Sequence, residues 1–235
     1  MPATVIIGKH AVKQCLASSD HIEKLYIRKR QRNNDDIQKI IASAKKQRIG
    51  VQWLEPQRFD DRFSGDHQGV ACITHSFKQC TISNIVDKQP NIVLVLDHIL
   101  DPHNFGAICR SAEAFGVQYV CYPKDRAVQI TPSVVKASAG ATQNITFCKL
   151  TNLMNGLKQL SQHNYWIYGA SSNKGTSIKN IQFNQPMVLI CGAEDKGISP
   201  GLSKIIDEFV HIPLIGETSS LNVSVATGIL LSTLS

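Results

Sequence analysis

The chain reads as an α/β protein, a parallel sheet with helices on both faces, preceded by a smaller α/β module. Three observations predict this. Along residues 91–235, apolar runs of strand length alternate with stretches of helical period, the pattern of parallel strands covered on both faces. A polar stretch at 77–90, ending in Gln89-Pro90, reads as a linker and separates that region from residues 1–76. Charge follows the same division: residues 1–76 hold 13 Lys and Arg against 8 Asp and Glu, whereas residues 91–235 hold 10 against 9.

The first module opens with a strand at 4–7. A helix follows from Gly8 to Leu16, with Ala11, Val12, Cys15 and Leu16 on one face. Leu25-Tyr26-Ile27 is a short strand leading into the basic run Arg28-Lys29-Arg30-Gln31-Arg32. Ile37, Ile40, Ile41 and Ala44 recur at helical spacing over 35–48, which closes in Lys45-Lys46-Gln47-Arg48. Val51 to Leu54 and Gly69 to Thr74 are strands again. In the second region strands are predicted at 91–97, 117–122, 165–170, 187–192 and 209–213. Helices are predicted at 104–115, 132–139, 151–162, 200–207 and 222–234.

Composition narrows the function. The 235 residues are 43% hydrophobic, enough for real cores, and carry a net charge of +7, which suits an acidic partner such as nucleic acid. The seven cysteines are odd in number, lack a C-x-x-C pair and sit mostly among apolar neighbours, so they read as reduced thiols of a cytoplasmic protein. The eight histidines show no ligand spacing, so no metal is expected. Apolar runs such as Ile92 to Leu96 and Met187 to Cys191 are strand-sized, and no leader is evident. A soluble, unexported chain without a membrane partner is expected.

Ligands of parallel sheets bind at the carboxyl ends of the strands, so the loops there carry the chemistry. Three stand out. In Leu96-Asp97-His98-Ile99-Leu100-Asp101-Pro102-His103-Asn104, Asn104 opens a helix as a cap or as a site amide, with Arg110 six residues on. Gly192-Ala193-Glu194-Asp195-Lys196-Gly197 sets a carboxylate between two glycines that let backbone approach a ligand. It is not a phosphate loop, because Ile198 stands where the lysine belongs, and no G-x-G-x-x-G follows any strand. The third runs from Ile212-Pro213-Leu214 to a helix start holding Ser219, Ser220 and Asn222, more polar groups than one cap requires.

Taken in order, Asn104 with Arg110, Gly192-x-Glu194-x-x-Gly197, and Ile212-Pro213 followed by Ser219-Ser220-Leu221-Asn222-Val223-Ser224 resemble the three motifs of the SpoU (TrmH) family of RNA 2′-O-methyltransferases. Gly8-x-His10-Ala11-Val12 and His67-Gln68-Gly69-Val70 resemble the small RNA-binding domain that precedes the catalytic domain in members acting on guanosine of 23S rRNA. Nearly the whole chain is covered.

The resemblance implies a SPOUT-type sheet whose C-terminal segment threads a trefoil knot, and a homodimer whose partner completes the site. It implies S-adenosylmethionine as cofactor, lined by Gly192, Gly197, Ile212, Leu214 and Leu221, largely through backbone. Arg110 takes the assisting role in catalysis. A guanidinium is ordinarily protonated, so a phosphate clamp fits it as well as a base. Asn104 and Asn222 orient Arg110 or the ribose, Glu194 fixes the loops, and Ser220 orients substrate. Arg28, Lys29, Arg30, Arg32 and His67 face RNA, 23S rRNA by the same resemblance. Lys136-Ala137-Ser138-Ala139-Gly140 is family-like without an assigned role. Three alternatives stand beside this reading: a tRNA methyltransferase of the same family, a non-catalytic RNA-binding protein of the same fold, and a nucleotide enzyme of doubly wound type.

Overall fold

The computed structural model describes residues 4–17, 21–31, 34–75 and 77–234. The chain divides into two compact units, Met1–Ser76 and Phe77–Ser235.

In the first unit the order is β1 (Thr4–Ile7), α1 (Lys9–Ala17), β2 (His21–Arg28), a 3-10 turn (Lys29–Gln31), α2 (Asp35–Lys46), β3 (Gly50–Leu54), α3 (Pro56–Arg62) and β4 (Val70–His75). The sheet runs β1-β4-β2-β3, with β4 antiparallel to both neighbours and β2 parallel to β3. Alternation along β2 sends Leu25 and Ile27 toward Val12, Ile37 and Ile40, and Tyr26 toward Phe59 and Phe63. Helix α3 is not among the expected elements. Its seven residues bury only Phe59, too little for a periodic signal.

The second unit contains β5 (Lys78–Gln79), α4 (Ile82–Lys88), β6 (Ile92–Asp97), α5 (Pro102–Ala114), β7 (Tyr119–Pro123), α6 (Pro132–Ala137), β8 (Thr146–Leu150), α7 (Leu153–Gln162), β9 (Trp166–Ser171), β10 (Thr176–Ser177), β11 (Met187–Gly192), β12 (Glu208–His211) and α8 (Val223–Ser232). Its sheet order is β10-β12-β9-β11-β6-β7-β8-β5, with every pair parallel. Leu94 and Leu96 face Phe105, Val134 and Leu230 on one side, and Val93 and Val95 face Ile85 and Leu157 on the other.

Several expectations need correction. Residues 77–90 are not a linker. Strand β5 pairs with β8, Ile82 and Ile85 are buried, and a Thr81–Asn84 capping box starts α4. The polar surface of that short helix hides two anchoring isoleucines. The helix expected at 200–207 shrinks to a 3-10 turn, Leu202–Lys204. It has no room to continue, because Asp207 must meet Ile167: its N–H donates to the Ile167 carbonyl and its carboxylate accepts from the Ile167 N–H. Strand β8 is an addition to the expected strands, and α6 ends at Ala137 because Ala139 (φ +50°) and Gly140 (φ +89°) turn left-handed.

That stretch, part of the family-like Lys136–Gly140 segment, packs directly under α5. A Cβ on Gly106 would lie 2.5 Å from Ala137 Cβ and 2.7 Å from the Val134 carbonyl oxygen. Gly106→Ala is therefore expected to destabilise the fold by about 1–3 kcal/mol. In an open helix the same change would stabilise by about 1 kcal/mol, so the sign in a denaturant titration decides whether the helices are that close.

Candidate active site

Helix α5 starts with Pro102, and Asp101 is its cap, accepting from the N–H groups of His103 (3.3 Å) and Asn104 (2.9 Å). Asn104 is thus relieved of capping, and its amide is free for the site. Asn222 does two jobs. Its Oδ1 caps α8 by accepting from the Ser224 N–H (3.0 Å) and hydroxyl (2.6 Å). Its Nδ2, fixed by that cap, donates to Asn104 Oδ1 (3.0 Å) and to Glu194 Oε2 (3.4 Å). Asn104 Nδ2 donates to the same Glu194 oxygen, also at 3.4 Å. Three loops far apart in the chain thus meet in one polar cluster.

The loop after β11 folds back on itself. Gly197 N–H donates to the Ala193 carbonyl at 2.7 Å, and a Cβ on Gly192 would lie 2.1 Å from the Gly197 carbonyl carbon. Gly192 is required for space and Gly197, at φ +64°, for backbone conformation. The far end of the loop is pinned by Asp97, a carboxylate only 1% exposed that accepts from the Ser199 N–H at 2.7 Å and from His98 Nδ1 at 2.5 Å. Asp97 is not among the residues expected in the site. Its signal in the sequence is a charged residue closing an otherwise apolar strand.

Beside the cluster lies a cavity of about 540 Å³. Gly192, Gly197, Ile212, Leu214 and Leu221 all line it, as do Glu194 and Ser220. Val223, Ala226 and Leu230 of α8 add an apolar wall. Cys191 also lines it, but burial pushes its thiol up to about 11, so it stays protonated and is no nucleophile near neutral pH. Arg110 is exposed, stands outside the cavity lining and makes no hydrogen bond or ion pair among the described residues. Six residues past Asn104, it sits about 240° round α5 and about 9 Å along it.

In the first unit the basic run is partly spoken for. Arg28 pairs with Asp60 at 2.7 Å, and Lys29 pairs with Glu55. His67 accepts from the Gly69 N–H through Nδ1 (3.0 Å), faces Asp60 through Nε2 (3.2 Å) and packs on Phe59. It reads as a tie within the unit. Arg30 is exposed without a partner among the described residues, and Arg32 lies outside them. Glu55 and Asp60 are distant in sequence from the run they neutralise, so the pairing is invisible there.

Among the described residues no group of three or more His, Cys, Asp or Glu is arranged to hold a metal, and no helix is long and apolar enough to cross a membrane.

Residues 91–232 match the SpoU rRNA Methylase family, and residues 5–80 match a domain described as RNA 2′-O ribose methyltransferase substrate binding. A Staphylococcus haemolyticus protein assigned by name to the TrmH family of tRNA/rRNA methyltransferases is 34% identical, covering 98% of this chain and 94% of its own length. An AdoMet-bound rRNA methyltransferase of Sinorhizobium meliloti has the same fold, with a TM-score of 0.65 at 20% identity over 98% of this chain and 86% of that one. The A. aeolicus TrmH/SpoU tRNA modifying enzyme matches 65% of this chain and 81% of its own, with a TM-score of 0.56 at 27% identity. The chain belongs to the SpoU family of RNA methyltransferases.

Proposed function

We propose that this protein transfers a methyl group from S-adenosylmethionine to a ribose 2′-hydroxyl of RNA, the target being a guanosine of 23S rRNA, in the cytoplasm. The convergence of Asn104, Glu194 and Asn222 at the edge of a ligand-sized cavity carries this reading. The cavity fits the donor. Its volume is in the range of cofactor pockets, Gly192 and Gly197 leave backbone exposed to it, and the α8 wall suits an apolar ring.

The donor supplies a methyl already activated by sulfonium charge. The chain's residues must bring the hydroxyl into line and manage its proton. Asn104 and Asn222, locked to each other and to Glu194, present amide groups that orient the ribose, and Ser220 adds a hydroxyl at the cavity mouth. Holding reactants in line is worth about 7–11 kcal/mol. Arg110 is exposed and makes no hydrogen bond to the cluster of its own subunit. The site is therefore completed in a homodimer, where Arg110 crosses the interface to hold a phosphate and stabilise charge on the hydroxyl oxygen. Exposed Val225 on α8 and Ile215 in the preceding loop supply apolar surface for that contact. The return of α8 past β11 to α5, after a sheet order of β12-β9-β11, supports a trefoil knot. The first unit holds RNA through Arg30, unpaired among the described residues, and Phe77–Ser235 performs the transfer.

A tRNA target is the second reading, favoured by the likeness to the A. aeolicus enzyme. Both are tested by incubating the protein with labelled S-adenosylmethionine and unmodified 23S rRNA or tRNA, then mapping the labelled nucleotide. A 2′-O-methyl guanosine in 23S rRNA is expected. Label on a base, or on neither RNA, would remove the proposal.

A further inference from the structure

The donor cavity and the Asn104 cluster lie at the carboxyl ends of β11 and β6, and the same edge continues through β7 and β8. Tyr122 and Pro123 of β7 are in register with Lys149 and Leu150 of β8, and Lys124 donates its backbone N–H to the Leu150 carbonyl at 2.8 Å. Lys149 is level with Tyr122, so Lys124 stands two residues further along the adjoining path, near enough for the two charges to repel. Two residues on, Arg126 is held at φ +52°. All three are exposed, and among the described residues none of their side chains has a hydrogen bond or ion pair. Asp125 is the acid in their midst and leaves the group net positive. Partial desolvation and the Lys124 ammonium press Lys149 below the ordinary lysine range, with Asp125 pulling the other way.

These cations are mounted on a tied loop. Val128 donates to the Ile99 carbonyl at 2.9 Å, joining it to the loop that leads to Asn104. The Gln129 amide donates to the carbonyls of Lys124 (3.1 Å) and Ala127 (3.3 Å). Strands about 4.8 Å apart put the end of β8 about 10 Å from that of β6, the reach of a neighbouring nucleotide.

We propose that Lys124, Arg126 and Lys149 form a phosphate track that holds the RNA backbone flanking the nucleotide in the active site. Repelling ammonium groups without partners are stabilised by an anion between them, and a nucleic-acid backbone supplies such anions at regular spacing. The track rests on the RNA-methylating reading above.

The test binds an unmodified 23S rRNA transcript to the whole protein across a salt series, comparing wild type, the Lys124→Ala/Lys149→Ala double variant and Arg126→Gly, in which glycine suits the left-handed backbone. Kd should rise roughly fivefold to tenfold in the double variant, and the slope of log affinity against log salt should shrink by about 0.7 for each phosphate left without its cation. Affinity for S-adenosylmethionine, read by calorimetry, should not change. Wild-type values of Kd and slope in both variants would overturn the track while leaving methylation intact. An equal fall in donor affinity would overturn it too, since the track touches RNA alone. If the wild type neither binds nor methylates the transcript, the functional reading fails as well, so the two failures are distinguishable.

Discussion

Gly192→Ala is expected to weaken S-adenosylmethionine binding roughly 10- to 100-fold, the equivalent of about 1.4–2.8 kcal/mol. The added Cβ would sit 2.1 Å from the Gly197 carbonyl carbon, 2.3 Å from its oxygen and 2.3 Å from Ile198 N. All three are backbone atoms, so no rotamer change relieves the clash. The loop must open, and it forms one wall of the cavity. Gly197→Ala is the comparison. Its Cβ meets nothing within 4 Å, so the cost is the left-handed conformation alone, about 1–2 kcal/mol. Calorimetry on both variants orders them. Normal donor affinity in Gly192→Ala would show that the loop does not close on itself in solution.

Arg110→Ala should lower turnover on RNA by roughly 10²–10³ while leaving donor affinity unchanged. The side chain is exposed and touches neither the cavity nor the Asn104 cluster, so its removal disturbs no packing. Asn104→Ala should also lose turnover, and its Asp101 cap remains. Neither variant alone is informative about where the arginine acts, but a mixture is. If Arg110 reaches the site across a dimer, mixed dimers of the two variants contain one site with every residue present, and turnover recovers. Near-normal turnover in Arg110→Ala, or no recovery on mixing, would count against the assignment.

Local chemistry makes much of the fold legible. The strand-length runs at 92–97 and 187–192 and the 3.6-residue spacing in 35–46 persist in the structure because they reflect burial of a face, which any packing must respect. Short elements are not legible. Residues 77–90 look like a polar connector because Ile82 and Ile85 become meaningful only against the sheet they anchor to. A helix at 200–207 is plausible locally and loses to the demand that Asp207 pair with Ile167. In the site, the loops themselves are recognisable from glycines and clustered polar residues. Asp97 is not, and Arg28, Lys29 and His67 look free for RNA in the sequence although acids from α3 and the residue before it hold them.

Residue pattern alone thus determined the α/β alternation, the division near residue 76 and the three loops rich in site-like groups, because each depends on neighbours a few positions away. Tertiary structure decided that Asp101 and not Asn104 caps α5, that Asn104, Glu194 and Asn222 meet in one cluster, how Gly192 closes on Gly197, and that Arg110 is exposed. The cluster and the Asp97–Ser199 tie depend on distances between residues about 100 positions apart. Chain order does not encode such distances, and only the stacking of parallel strands brings their carboxyl ends onto one edge.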